Sequence, residues 1–157
     1  MAIFCLVPLL AILVAPPAYK TYHNVRFSYR IDYPADFRPP PEAANGDGRR
    51  FVSPDGQAVL TAYASYQVLG EGLAAYRYMA RAPWLAHHAT LVLDQQTSTG
   101  FVLSGTVKGR IFYEKTVLQN RTLTMFAWQY PAARKAALAP IIRRTAQTLQ
   151  PSVAGAG

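Results

Sequence analysis

Two dipeptides, Lys108-Gly109 and Asn120-Arg121, interrupt the run GFVLSGTVKGRIFYEKTVLQNRTLTMFAWQY, and they constrain the fold more than any other feature of the chain. On either side of them apolar and polar residues alternate, the period of a strand with one buried face. Two residues can reverse a chain only between antiparallel neighbours, because a parallel pair needs a crossover of a dozen or more. Residues 100–118, split at the first turn, and 122–130 are therefore predicted to be consecutive strands of one antiparallel sheet.

Other segments extend this pattern. RRFVS and QAVLTAYASY flank Pro54-Asp55-Gly56, which predicts a hairpin over residues 49–66. LVLDQQT at 91–97 reads as a further strand. VRFSYRIDY at 25–33 places Val25, Phe27, Tyr29, Ile31 and Tyr33 on one face and Arg26, Ser28, Arg30 and Asp32 on the other, predicting a half-buried strand that Pro34 ends. The following DFRPPPEAANGDG, with three consecutive prolines, reads as a loop. From Gly72, the residues Leu73, Tyr76, Met79 and Ala80 recur at helical spacing, and Pro83 predicts the stop. Past Pro131, Leu138, Ile141, Ile142, Thr145 and Leu149 form an apolar stripe with Arg134, Lys135, Arg143 and Arg144 mostly off it. This predicts a helix over the sheet that starts or kinks at Pro140. Strands, helix, strands, helix, without β–α–β alternation, define an α+β fold: an antiparallel sheet flanked by helices.

With 157 residues, 51% of them hydrophobic and 15% charged, the chain is globular in composition and long enough for one core. A single domain is expected over residues 19–150, with a disordered tail at 151–157. Residues 3–15 read IFCLVPLLAILVA, uncharged and shorter than the roughly 20 residues that span a bilayer. Residues 1–18 are expected to be a signal peptide or apolar leader, although no Lys or Arg precedes the run and Pro8 interrupts it. Cleavage after Ala15 or after Ala18, a retained anchor and a buried N-terminal element stay open as alternatives. Cys5 lies inside the run, too early for a lipidation site, so a cleaved chain would be free of cysteine. Export, and with it a periplasmic location, is the expectation.

The sequence F-x-Y-x-I-x-Y-P-x-x-F at 27–37, NGDGRRFVSPDGQAVLTAY at 45–63, GFVLSG, GRIFYEKTVL and the strand ending Tyr130-Pro131 together resemble small secreted bacterial proteins of the PsbP/Mog-type fold, related at a distance to DcrB-like proteins. The resemblance spans about residues 25–149. It implies an α/β/α sandwich with the sheet between helices, and a binding or accessory role without established chemistry. It brings no catalytic residues.

The reactive side chains support the same view. Asp47 and Asp55 lie in tight turns that lack the ligand alternation and terminal Glu of a calcium loop. His87 and His88 are adjacent and point apart, and His23 is distant, so no metal set is expected. Ser104 in FVLSG lacks the preceding Gly of a nucleophile elbow. Glu114, between Tyr113 and Lys115 on a strand, reads as solvent-facing or lysine-paired rather than as the partner of Asp94 in acid–base catalysis. No cofactor is expected, and the protein reads as a non-enzyme. An envelope hydrolase using Glu114, Asp94 or Ser104 is the rival from another class.

Sixteen Lys and Arg against eight Asp and Glu give a net charge of +8, which suits anionic partners. Export argues against nucleic acid and for another envelope or secreted protein, or an anionic envelope surface. The candidate binding residues are Arg38, Asn45, Asp47, Arg49 and Arg50, on a loop that prolines stiffen and whose cations can grip carboxylate or phosphate. An immunity protein or chaperone for a secreted toxin is the alternative form of this function.

Overall fold

The computed structural model describes residues 17–41, 44–68 and 70–151. All but the last two residues of the 1–18 leader lie outside the described residues, as do residues 152–157 of the tail. In chain order the elements are β1 (Tyr19–Asn24), β2 (Tyr29–Pro34), β3 (Gly48–Val52), β4 (Val59–Tyr66), α1 (Leu73–Ala86), β5 (Thr90–Gln96), β6 (Gly100–Val107), β7 (Arg110–Gln119), β8 (Thr122–Pro131) and α2 (Lys135–Thr148). A short 3₁₀ turn at Ala132–Arg134 leads into α2.

Strands β3 to β8 form one antiparallel sheet in the order β3-β4-β8-β7-β6-β5. Its centre is built as the turns require. Lys108 (φ 48°) with Gly109 (φ 74°), and Asn120 (φ 50°) with Arg121 (φ 59°), occupy the left-handed region at both turn positions, the geometry whose twist matches paired strands. Register follows directly: Tyr113 lies opposite Trp128 and Ser104, and Glu114 opposite Ala127 and Leu103. The hairpin about Pro54-Asp55-Gly56 joins β3 to β4, and β4 pairs with β8.

One face of this sheet carries Phe51, Leu60, Ala62, Phe126 and Trp128, all buried under α2 and the β1–β2 hairpin. Leu138 and Ile142 of α2 reach this core, as do Tyr22, Tyr29 and Ile31 of the hairpin. Phe37, from the β2–β3 loop, meets Trp128 edge-on at 5.6 Å, and Tyr33 stacks on Phe51 at 4.1 Å. The opposite face is covered only in part. There α1 lays Leu73, Tyr76, Ala80 and Trp84 against Phe101, Leu103 and Phe112, and no residue of α1 is fully buried.

Three local expectations are corrected. Residues 25–33 are not one strand: Val25 to Ser28 form a turn between β1 and β2, and Val25 is 93% exposed. The Asn24 side chain accepts the Phe27 amide at 2.8 Å and Ser28 takes a positive φ, so local side-chain hydrogen bonding outweighs the apolar alternation. The resulting hairpin is a separate two-stranded sheet lying on the larger one. Second, α1 runs through Pro83 to Ala86. Proline frees the carbonyl four residues back, here that of solvent-exposed Met79, and the last turn is held by Trp84, which stacks on Phe112 at 3.9 Å. Third, α2 does not start at Pro140: it begins at Lys135 and runs through the proline, which frees the carbonyl of Ala136, an exposed residue.

Gly105 tests the close packing under α1. A Cβ there would lie 2.2 Å from the Thr90 carbonyl oxygen and 2.9 Å from Cε1 of Phe112. Gly105→Ala is expected to cost about 2 kcal/mol or more, within the range for overpacked cores. Gly72→Ala has open space around it and loses only the preference for Gly over Ala at the N-cap of α1, so it should cost about 1 kcal/mol or less. Urea unfolding of both variants checks this.

Candidate functional site

The β2–β3 loop is pinned at both ends. Arg38 pairs with Val52 through both backbone groups, at 2.8 and 3.0 Å, continuing the edge of the sheet past β3. At the far end Asn24 donates to the Gly46 carbonyl at 2.9 Å, and Arg26 donates to the carbonyl of Asn45. Asn45 in turn donates to Asp47 at 2.7 Å. A shallow recess lies between Pro40 and Pro41 on one side and Asp47, Arg50, Thr61 and Tyr63 on the other.

Of the five residues read from sequence, the structure groups Asp47, Arg49 and Arg50 around this recess and sets Asn45 beside them. Arg38 stands in solvent at the other end of the loop. Arg49 and Arg50 are neighbours on β3, so their side chains leave opposite faces of the sheet. Arg50 is exposed, whereas Arg49 is half-buried with its Nε buried and without a hydrogen-bond partner among the described residues. The two cations therefore do not form one clamp.

Tyr63 links the recess to a deeper groove of about 480 Å³ between α1 and the sheet. Tyr76, Met79, Trp84, Leu123 and Met125 wall it, and Glu114 and Thr116 lie at its floor. Here another expectation is overturned. Glu114 is neither solvent-facing nor lysine-paired: it is 8% exposed and accepts a hydrogen bond from Trp84 Nε1 at 3.2 Å. Lys115, on the other face by strand alternation, gives its Nζ to the Ala146 carbonyl in the last turn of α2 at 2.9 Å. Burial pushes the Glu114 carboxyl up from the ordinary carboxylate range, and the Trp84 bond offsets only part of this. Magnitudes agree, since burying an unpaired charge costs several kcal/mol and a hydrogen bond to a charged group returns about 1.5–3. Burial likewise pushes the Tyr63 hydroxyl up to about 12, with the Glu114 and Asp47 carboxylates adding to it.

A second groove of about 480 Å³ lies on the other face, between α2 and the sheet. Ile111, Tyr113, Tyr130 and Ile142 line it, with Lys115, Lys135 and Arg143. Its cations need nothing further, because Lys115 is bonded to Ala146 and the other two are exposed to water.

The remaining reactive groups are engaged elsewhere. Asp94 lies between Arg77 at 2.5 Å and Arg81 at 3.0 Å. Ser104 donates its hydroxyl to the Phe112 carbonyl at 2.8 Å. Asp55, held below its usual value first by the Ser53 hydroxyl and then by the Gln57 amide, closes the β3–β4 turn and pairs with Arg134. His23, His87 and His88 are exposed, and no group of three His, Cys, Asp or Glu comes together among the described residues. The alternation at 110–119 already contained the groove floor, because it puts Glu114 and Thr116 on one face. Missing was the knowledge that α1 covers that face.

An antiparallel six-stranded sheet with α1 on one face, and α2 and a hairpin on the other, is the PsbP-type fold. The solution structure of the cyanobacterial PsbP (CyanoP) from Synechocystis sp. PCC 6803 matches 90% of this chain and 97% of its own length, with a TM-score of 0.67 and 12% identity. A crystal structure from Bacteroides thetaiotaomicron matches 81% of this chain and 46% of its own, with a TM-score of 0.49 and 14% identity. At 12% identity the likeness to CyanoP is one of fold. No family model matches the chain, and no curated protein sequence is detectably similar to it.

The raised Glu114 carboxyl has a pH signature. Between the ordinary carboxylate value and the raised one, the folded chain keeps a proton that the unfolded chain has released, so stability falls as pH rises through that window. Glu114→Gln preserves an acceptor for Trp84 and is neutral throughout. Its stability relative to the parent should improve as pH rises from about 4 to about 7 in urea titrations. A difference that stays flat would mean that Glu114 is solvated when folded.

Proposed function

We propose that this protein is a noncatalytic binding or accessory component of the bacterial cell envelope, exported by its apolar leader. In this reading it engages another envelope or secreted protein through residues 38–50. The observation that carries it is the pinning of the β2–β3 loop by Arg38–Val52 pairing and by the bonds from Asn24 and Arg26. The two stems of the loop are held by these bonds and lose little entropy on docking, so the exposed cations beside them present a preorganised surface to acidic groups. Arg38 and Arg50 are the contact residues, with Asn45 and Asp47 holding the loop and Arg49 turned toward the other face. The engagement of Asp94 and Ser104 in structural contacts supports a binding role over the hydrolase alternative.

Two measurements test this. Residues 1–24 fused to a reporter active only outside the cytoplasm should yield activity, and an intact but silent fusion rejects export. Arg38→Ala/Arg50→Ala changes only exposed side chains and should melt like the parent. It is expected to lower partner recovery from envelope extract about tenfold and to weaken the salt dependence. Equal recovery at every salt concentration removes this surface from the site.

A further inference from the structure

We infer that the groove between α1 and the sheet is a binding site for a small molecule bearing a primary ammonium group on an apolar body. The site is distinct from the 38–50 surface and stands without it, although Tyr63 lines both. Its floor carries two acceptors in need of donors. Glu114 has one hydrogen bond among the described residues, to Oε2 from Trp84, and Thr116, two positions along β7, is 1% exposed with its Oγ1 unpartnered. Buried polar groups left unpaired in this way mark the place of a missing partner.

The charge and shape of the groove select that partner. The arginines of α1 nearest in sequence, Arg77 and Arg81, both pair with Asp94, so among the described residues no side chain supplies Glu114 with a counter-charge. An ammonium brings one positive charge and three donors with no acceptor, which suits a carboxylate beside a hydroxyl. The rings of Tyr63, Tyr76 and Trp84 in the wall favour a cation, and Glu114 repels an anion. Met79 and Met125 offer adaptable apolar contact to the body of the ligand, and about 480 Å³ falls within the roughly 300–1,000 Å³ of small-molecule sites.

Octylamine, octanol and octanoate, equal in chain length and different in head group, test the assignment by calorimetry on the whole protein. Octylamine is expected to bind at least about tenfold tighter than octanol, with no measurable octanoate binding. In ¹⁵N spectra, the Trp84 indole resonance, assigned through Trp84→Phe, should move with octylamine while that of buried Trp128 stays. Glu114→Gln should weaken octylamine about tenfold and leave octanol unchanged. Met79→Trp fills the groove from a half-exposed helix position without touching Glu114, and should abolish octylamine binding. Equal affinity for amine and alcohol, unchanged amine affinity in either variant, or a stationary Trp84 resonance would each overturn the proposal. The Arg38→Ala/Arg50→Ala variant should bind octylamine like the parent, so failure of one site is separable from failure of the other.

Discussion

Register in the β6-β7-β8 meander is the constraint on which the rest of the molecule depends. Side chains on a strand alternate with a period of two, so a slip by one residue would exchange the contents of the two faces. The turns at Lys108-Gly109 and Asn120-Arg121 prevent that slip by fixing which residues oppose each other. Trp128, Phe126 and Tyr113 are thereby committed to the side that α2 covers, and Phe112, Glu114 and Thr116 to the side of α1. Pairing β4 on β8 carries the same choice to Leu60 and Ala62.

Given that commitment, the two faces receive unequal cover. A helix, a hairpin and Phe37 from a loop cover one face around a fully buried Trp128, although a groove stays open between α2 and the sheet. The other face has a single helix, and α1 meets the sheet without burying any of its own residues completely. Room is left beside that helix, and Glu114 sits at the bottom of it. An apolar residue at 114 would seal the floor at lower cost, since an unpaired buried carboxyl opposes folding at neutral pH. Few buried contacts also place α1 at the low end of local stability, which suits an element that borders a cavity.

Much of this was legible in the residues. The strands from Gly100 to Pro131, the β3–β4 hairpin and the stripe on α2 were all readable, because turn chemistry and apolar period agreed there. Disagreement marks the errors. At 25–28 the alternation continued while the Asn24 side chain made a turn, and β1 carried too few apolar residues to announce a strand. At Pro83 local propensity said stop and at Pro140 it allowed a start, yet both helices, packed against the sheet, run through their prolines. Asp47, Arg49 and Arg50 were found as a loop cluster, yet the opposite facing of Arg49 and Arg50 required knowing that β3 begins at Gly48. Glu114 was misread because alternation tells which residues share a face, never whether a helix from elsewhere in the chain will lie on it.

Besides its packing on the larger sheet, the β1–β2 hairpin is held by residues more than a hundred positions further along the chain. Asp32 takes a hydrogen bond from Arg144 at 2.9 Å and gives its amide to Thr148 at 3.1 Å. Arg30 and Gln150 exchange backbone bonds at 2.9 and 3.1 Å, and the Arg144 guanidinium lies over the ring of Tyr19. An isolated two-stranded hairpin is marginal in water. During synthesis, then, β1 and β2 are made more than a hundred residues before α2, and the bonds that join them to it form only after that helix is complete. The hairpin and the helix thus fasten on each other as the two halves of a clasp do, across the whole length of the domain between them.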